Sequence, residues 1–484
     1  MNARYLPITA GIALLAGCAV GPDYHRSDLQ QPVPEKFAAT GATNEWKVAA
    51  PRSESPKGEW WKIFNDSQLN QLEADAASAN QELKAAAARY AQARELANIA
   101  RSGLYPHLSV DPSYERVRSS ANSAKSVGGP GKTVSDFYLP FDLSYELDLW
   151  GRIRRDIEAN KADQQASLAN LENARLSIQA ELAGDYFTLR ALDADIALLR
   201  SSIGVFQKSL ELTRNRHTGG IATELDVSEA ETVLKATEAE LPRAALDRLK
   251  LLHAIAVLTG KVASFFALPE RPLDVIAPEI PGGLPSELLE RRPDVASSER
   301  RMAAANARIG VAKAAFFPTL KLNGIAGLES LNAGSLFNAS SRLWAVGPSI
   351  HIPIFEGGQL RGELRRSKAE YEETVANYRQ NVLGAFREVE DNLSAQGLID
   401  AEIAAKAQAL EASRRTLSIA QNRYKAGLVT YLEVATAQND ALGRERDLTR
   451  IRGERLVASV ALIKSLGGGW NAESLKVAEA QPQR

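Results

Sequence analysis

Apolar residues recur along one stretch of the chain at alternating steps of three and four. They are Leu168, Leu171, Ile178, Leu182, Leu189, Leu192, Ile196, Leu199, Ile203, Phe206 and Leu210, with Arg175 and Asp185 as the polar members of the series. This is a seam of 3.5 residues per turn, and no proline interrupts it. It predicts one helix from Lys161 to about His217. At 1.5 Å per residue such a helix is about 90 Å long, far beyond a globular helix. His217-Thr218-Gly219-Gly220 ends it, and a new helix opens at Thr223.

The passage returns 207 residues later, with Gly220 matched by Gly427 and Asn215-Arg216 by Asn422-Arg423. The second seam is weaker (Val375, Tyr378, Val382, Ala385, Val389, Ile399, Ile403, Leu410, Leu417) and carries Asn392, Gln396 and Lys406. A period this long is not a solenoid repeat. It reads as one structural half built twice.

Two other stretches change to period two. Leu139, Phe141, Leu143, Tyr145, Leu147 and Leu149 alternate with Asp142, Ser144, Glu146 and Asp148, and His107 to Val117 alternates likewise. The pattern reappears at Leu320, Leu322, Ala326 and Leu328 and at Trp344, Val346, Ile350, Ile352 and Ile354. Four strands of this kind fit a transmembrane barrel, with lipid outside and water inside, or a one-sided soluble sheet. Four strands cannot close a barrel, because the smallest has about eight. A barrel would need several copies of the chain; two would give a filled core and three a lumen. Helices expected at 67–103, Leu225 to Leu258, Pro293 to Phe316, Gln359 to Tyr424 and Tyr431 to Leu466 complete two equivalent halves.

The bulk properties remove other classes. A net charge of −1 leaves no general polyanion-binding surface, so no nucleic acid is expected. One cysteine and five histidines leave no disulfide framework and little material for a metal site. The chain has no phosphate-binding glycine loop, no Gly-x-Ser-x-Gly elbow and no His-Glu-x-x-His, so no catalytic residue is assigned. That single cysteine stands in Leu15-Ala16-Gly17-Cys18, after Arg4 and the apolar run Ile8 to Ala16. This reads as a signal peptide over 1–17 and a bacterial lipobox, with S-diacylglycerol and an N-acyl chain expected on Cys18 and no other cofactor. Ala19 follows in place of the aspartate that retains lipoproteins in the inner membrane, which points to the outer membrane.

At the two turns, Gly220 and Gly427 suit left-handed helix ends. Thr430-x-x-Glu433 is a capping box and Thr223-x-x-Asp226 nearly one, so helix capping competes with any functional role for Asp226 and Glu433.

The lipobox, Trp60-Trp61 with Phe64, Asp66, Leu69 and Leu72, Asn80 and Leu83, Tyr105-Pro106 and Phe317-Pro318, Leu149-Trp150-Gly151 and the paired turns together resemble the outer-membrane efflux protein family. These are the TolC-like channels, and within them the NodT/OprM-type lipoproteins. The resemblance runs from Cys18 to Trp470. It implies a mainly α chain with a transmembrane β part, which as a homotrimer forms a 12-stranded β-barrel continuous with a periplasmic α-barrel. It further implies a non-enzymatic exit duct for drugs and toxic small molecules. An inner-membrane pump, of the RND type for this subtype, drives it through a periplasmic adaptor. A type I protein secretion duct is the alternative within the family. A lipid-anchored coiled-coil tether would explain the seams and the lipobox but not two alternating strand pairs.

The resemblance divides the chain into the signal peptide (1–17), a lipidated strap and equatorial start (18–66), a first repeat (67–258, strand pair 107–150, tip 216–224), an equatorial connection (259–292), a second repeat (293–466, strand pair 319–356, tip 423–430) and a tail (467–484). It places adaptor contacts at Arg216, Gly219, Gly220, Ile221, Thr223, Arg423, Gly427, Leu428 and Thr430. Asp226 and Glu433 match the acids of a periplasmic gate, and Tyr424 matches the tyrosine that bonds to the first acid. Val429 stands where some members carry a basic residue, and Thr436 where some carry an aspartate.

Overall fold

The computed structural model describes residues 19–26, 58–122, 131–278, 280 and 291–470. The expected signal peptide, Cys18, most of the strap, part of the equatorial connection and the tail beyond Trp470 lie outside the described residues.

Seven helices and five strands occur among the described residues: α1 (Ser67–Ala79), α2 (Gln81–Ser102), β1 (His107–Val110), β2 (Ser113–Arg118), β3 (Thr133–Leu147), α3 (Arg152–Thr218), α4 (Glu224–Leu258), α5 (Pro293–Ala314), β4 (Thr319–Ser330), β5 (Arg342–His351), α6 (Gln359–Lys425) and α7 (Tyr431–Ser465). The duplication is written in the lengths. α3 and α6 have 67 residues each, α4 and α7 have 35 each, and α2 and α5 have 22 each. Pro293 opens α5, where its missing N–H costs nothing.

Two expected elements are split. The helix expected at 67–103 breaks at Asn80, whose backbone leaves the helical region at ψ 127°. Its side chain explains the break. The amide oxygen accepts from Leu83 N at 2.9 Å and so caps α2, while Nδ2 donates to the Leu258 carbonyl at the end of α4, also at 2.9 Å. The strand expected at 107–117 stops at Asp111-Pro112, where proline offers no ladder N–H.

Compactness cuts across the duplication. One unit holds residues 1–28, 90–167 and 298–378; the other holds 29–89, 168–297 and 379–484.

The first unit contains the sheet. It is antiparallel in the order β1-β3-β4-β5, with β2 pairing β3 beyond the break. Register puts Leu139, Phe141, Leu143 and Tyr145 on one face with Leu328, Ala326, Gly324 and Leu322, and Trp344, Val346 and Ile350 continue that face. Asp142, Ser144 and Glu146 share the other face with Asn323 and Lys321. The apolar face is uncovered: Trp344 is 78% exposed and Leu108, Val346 and Ile350 about as open. A soluble sheet would bury such a face. Below the strands, the Trp150 ring stacks on Phe317 at 4.7 Å and its Nε1 donates to Pro318 O at 2.8 Å. The short segment 19–26 packs here too. Val20 N donates to Trp150 O at 2.9 Å, the Tyr24 hydroxyl to Glu299 at 2.5 Å, and Arg155 to Asp23 at 2.8 Å.

In the second unit the seam is largely core. Leu182, Leu189 and Leu199 are fully buried and Ile196 nearly so, while Arg175 is exposed. Asp66 caps α1 through Gln68 N and Leu69 N, and accepts the Tyr186 hydroxyl at 2.7 Å. Phe64 meets Phe187 at 4.7 Å. Arg190 is buried with Asp193 at 2.5 Å, Gln68 Oε1 at 2.6 Å and Pro269 O at 2.9 Å. Asp193 also accepts from Arg248 at 2.5 Å. This network ties the connection after α4 to α1, α3 and α4, with every buried charge paired.

Candidate functional site

The two helical turns lie in the second unit and are built alike. In the first, Gly220 N donates to His217 O at 2.8 Å and Ile221 N to Arg216 O at 2.8 Å. In the second, Gly427 N donates to Tyr424 O at 3.0 Å and Leu428 N to Arg423 O at 2.9 Å. Both are Schellman ends, and both glycines sit at positive φ, +74° and +73°. A Cβ at either would meet nothing within 4 Å, so backbone conformation alone asks for glycine there.

The caps after the turns differ. Thr223 and Asp226 form a complete capping box: Thr223 N and Oγ1 each donate to Asp226 Oδ2 at 2.8 Å, and Asp226 N donates to Thr223 Oγ1 at 3.2 Å. The box expected at Thr430 and Glu433 is not formed; Thr430 makes no side-chain cap. A cap comes instead from across the tip. The first N–H of α7, Tyr431 N, donates to Asp226 Oδ1 at 2.8 Å. The first tip's carboxylate therefore caps both helices, and Glu433 is left for an exposed ion pair with Arg423 at 3.4 Å.

Asp226 is 7% exposed. Burial pushes its pKa up, but the hydrogen bonds from Tyr431 and Thr223, with the Arg216 charge nearby, outweigh that and hold it below the ordinary carboxylate value. The Tyr424 hydroxyl does not reach it. Tyr424 is buried, its ring edge-on to Tyr431 at 5.4 Å and covered by the Arg216 guanidinium at 4.7 Å. Its hydroxyl has no hydrogen-bond partner among the described residues, so the expected Tyr424–Asp226 bond is not made within one chain. Arg216 bridges the tips a second time, donating to Lys425 O at 3.2 Å.

Beneath the tips Phe206, Leu210, Val227, Tyr424, Tyr431 and Val434 form a common core. The Tyr431 hydroxyl lies 3.0 Å from both Ser209 Oγ and Gln438 Oε1. On the outer surface, Ile221 and Leu428 are each 70% exposed, and Leu225 and Leu432 are exposed beside them. Arg423, Gly219, Gly220, Thr223 and Gly427 are exposed as well. The sequence reading missed Leu225, Leu432 and Tyr431. The first two could have been found, because they repeat at the same 207-residue offset as Ile221 and Leu428.

This fold and paired tip belong to one class, and comparison agrees. The model of the outer membrane efflux protein family matches residues 72–261 and 284–468. The chain belongs to that family. It is 31% identical over 476 residues to the probable efflux pump outer membrane protein TtgC of Pseudomonas putida, covering 97% of this chain and 96% of that protein. It is 31% identical to the pyoverdine export outer membrane protein OpmQ of Pseudomonas aeruginosa, covering 98% of each. The solved CmeC outer membrane channel of Campylobacter jejuni superposes with a TM-score of 0.88 at 25% identity, over 96% of this chain and 98% of that one. The protein is thus an outer-membrane efflux component, in a family of transport ducts.

Proposed function

We propose that three copies of this chain close a twelve-stranded barrel in the outer membrane. The barrel would be the passive exit for small molecules supplied by an inner-membrane transporter of the RND type through a periplasmic adaptor. The observation that carries this reading is the sheet. Its apolar face is uncovered, its other face holds acids, and its edges at β1/β2 and β5 have no partner strand among the described residues. Such edges cannot stay open in lipid. β3 has 15 residues and β4 has 12, enough to span when tilted. Relatives that export pyoverdine or act in efflux pumps favour small-molecule cargo over protein cargo. The lipobox supports acylation of Cys18 as a second anchor.

The tips are the docking and gating end in this reading. Ile221, Leu225, Leu428 and Leu432 offer apolar contacts for the adaptor, with Arg216, Gly219, Gly220, Thr223, Arg423, Gly427 and Thr430 around them. Asp226 joins the two hairpins of each copy, and Tyr424 and Glu433 contribute to the mouth. Single-channel recording in planar bilayers tests the duct, and native mass spectrometry tests the stoichiometry. A mass of one or two chains, or a bilayer without conductance at saturating protein, rules the reading out.

A further inference from the structure

We infer that the outer rim of the sheet is a binding surface for the phosphate groups of outer-leaflet glycolipid, carried by Arg116, Arg118 and Arg342. The inference rests on the barrel reading above, which puts the uncovered apolar face toward lipid.

Register fixes which way these arginines point. Tyr114, Arg116 and Arg118 stand opposite Phe137, Ser135 and Thr133 of β3, and Arg342 stands opposite Leu328 of β4. All three arginines therefore lie on the apolar face. The acids next to them in sequence and across the ladder do not: Glu115 stands opposite Asp136 on the other face. At the hairpin end of the sheet the arginines thus lie on the apolar face and the neighbouring acids on the other.

Their height is fixed as well. The helices join the strands at one end, through α2 to β1, β3 to α3, α5 to β4 and β5 to α6. Arg118 ends β2 and Arg342 begins β5, so both sit at the opposite, hairpin end. Along β3 the apolar belt of Leu143, Phe141 and Leu139 gives way to Phe137, opposite Tyr114, and then to the rows of Arg116 and Arg118, while on β5 Val346 and Trp344 are followed by Arg342, in the row of Leu139. Tyr114 and Phe137 are in ring contact at 4.8 Å, and the Tyr114 hydroxyl lies 3.3 Å from Ser135 Oγ. This is a rim of aromatic and hydroxyl groups of the kind that marks a bilayer interface.

None of the three arginines is in an ion pair or a side-chain hydrogen bond among the described residues, and all three are exposed. A lipid-facing guanidinium left without an anion is costly, and only the headgroup layer can supply one. Arg116 and Arg118 are two residues apart on one strand face, about 7 Å, and a guanidinium matches a phosphate in bidentate fashion. Closing the ring would lay β5 of one copy beside β2 of the next, bringing the strand of Arg342 to that of Arg116 and Arg118. A glycolipid whose phosphates carry uncompensated negative charge fits this surface; a headgroup without phosphate does not.

The test uses the full protein, lipid-depleted in detergent with chelator present. It is incubated with diphosphorylated lipid A or with the same lipid enzymatically dephosphorylated, and bound lipid is counted by native mass spectrometry. The wild type should retain the phosphorylated form at a concentration about tenfold lower. R116Q/R118Q/R342Q should lose that preference. Equal retention of the two lipids by the wild type overturns the inference, and so does a preference that survives in the triple variant. If the triple variant does not fold, the wild-type comparison of the two lipids decides alone. Conductance measured on the same wild-type sample separates the failures. A conducting channel without lipid preference sinks only the rim, whereas no conductance sinks the barrel reading beneath it.

Discussion

Asp226 of one hairpin accepts a hydrogen bond from the backbone N–H of Tyr431 of the other, at 2.8 Å, while its second oxygen closes the capping box with Thr223. One carboxylate thus terminates two helices that lie about two hundred residues apart in sequence. Capping and coupling of the tips are the same interaction here, seen from different helices.

Asp226→Ala should therefore cost more than a single cap, about 2 kcal/mol of local stability. Hydrogen exchange at the amides of both Asp226 and Tyr431 should speed up together. Because its pKa is depressed, the contribution is fully present above the unfolded value near 3.8 and is lost only as pH falls through the lower folded value. The protection factors of the tip amides, corrected for intrinsic exchange, should accordingly be flat from pH 7 to pH 5. If the tips also gate, conductance rises in this variant; acceleration at Asp226 without acceleration at Tyr431 would show that the bond between hairpins does nothing.

Glu433 differs in kind. Its pair with Arg423 is long and about half exposed on both sides. Glu433→Gln should change stability by less than roughly 1 kcal/mol. If Glu433 lines the mouth, as proposed, Glu433→Gln should instead affect the current, lowering cation selectivity with the oligomer intact. Unchanged reversal potentials in a salt gradient would remove Glu433 from the mouth.

The long helices, the duplication and the two-faced strands were legible because each is a period, and a period survives without tertiary information. The breaks were not. Asn80 is tolerated inside a helix, and only the distant Leu258 carbonyl makes its side chain worth turning outward. Thr223-x-x-Asp226 and Thr430-x-x-Glu433 look alike in sequence, yet one box forms and the other does not. Asp226 also reaches Tyr431 across the tip, a contact that no local pattern encodes. Leu225 and Leu432 are missed for another reason: an exposed leucine in a heptad-rich chain looks like core until its face is known.

Close helix packing gives a third prediction. A Cβ on Gly453 of α7 would lie 2.5 Å from the Ala191 Cβ of α3. Gly453→Ala must push the helices apart and should cost about 1–3 kcal/mol by overpacking, despite the better helix propensity of alanine. Arg446 bonds both oxygens of Asp195 between the same two helices, at 2.8 and 3.0 Å, and the substitution should loosen it. A denaturation midpoint equal to the wild type would mean that the contact relaxes freely.

The last prediction concerns Glu73 in α1. Its side chain has no exposed surface, and neither carboxyl oxygen has a hydrogen-bond partner among the described residues. Burial pushes its pKa up to about 9. An unpaired buried carboxylate is too costly to keep, so the group is held protonated at neutral pH. The sign follows from proton counting. Between the unfolded value near 4.5 and about 9, the folded chain binds a proton that the unfolded chain has released. Stability then falls as pH rises through that window, by roughly 3 kcal/mol at pH 7 relative to acid conditions that leave both states protonated. Carboxylates such as Asp226 act in the opposite direction, but only near and below pH 4, so the two effects separate. Glu73→Gln keeps the shape and stays neutral at every pH. It should flatten the decline between pH 5 and pH 9 and unfold at higher denaturant than the wild type at pH 8. The measurement is the denaturation midpoint of both proteins across that range. Parallel curves would show that Glu73 meets an anion-stabilising partner after all, and that its burial is structural without being a proton store.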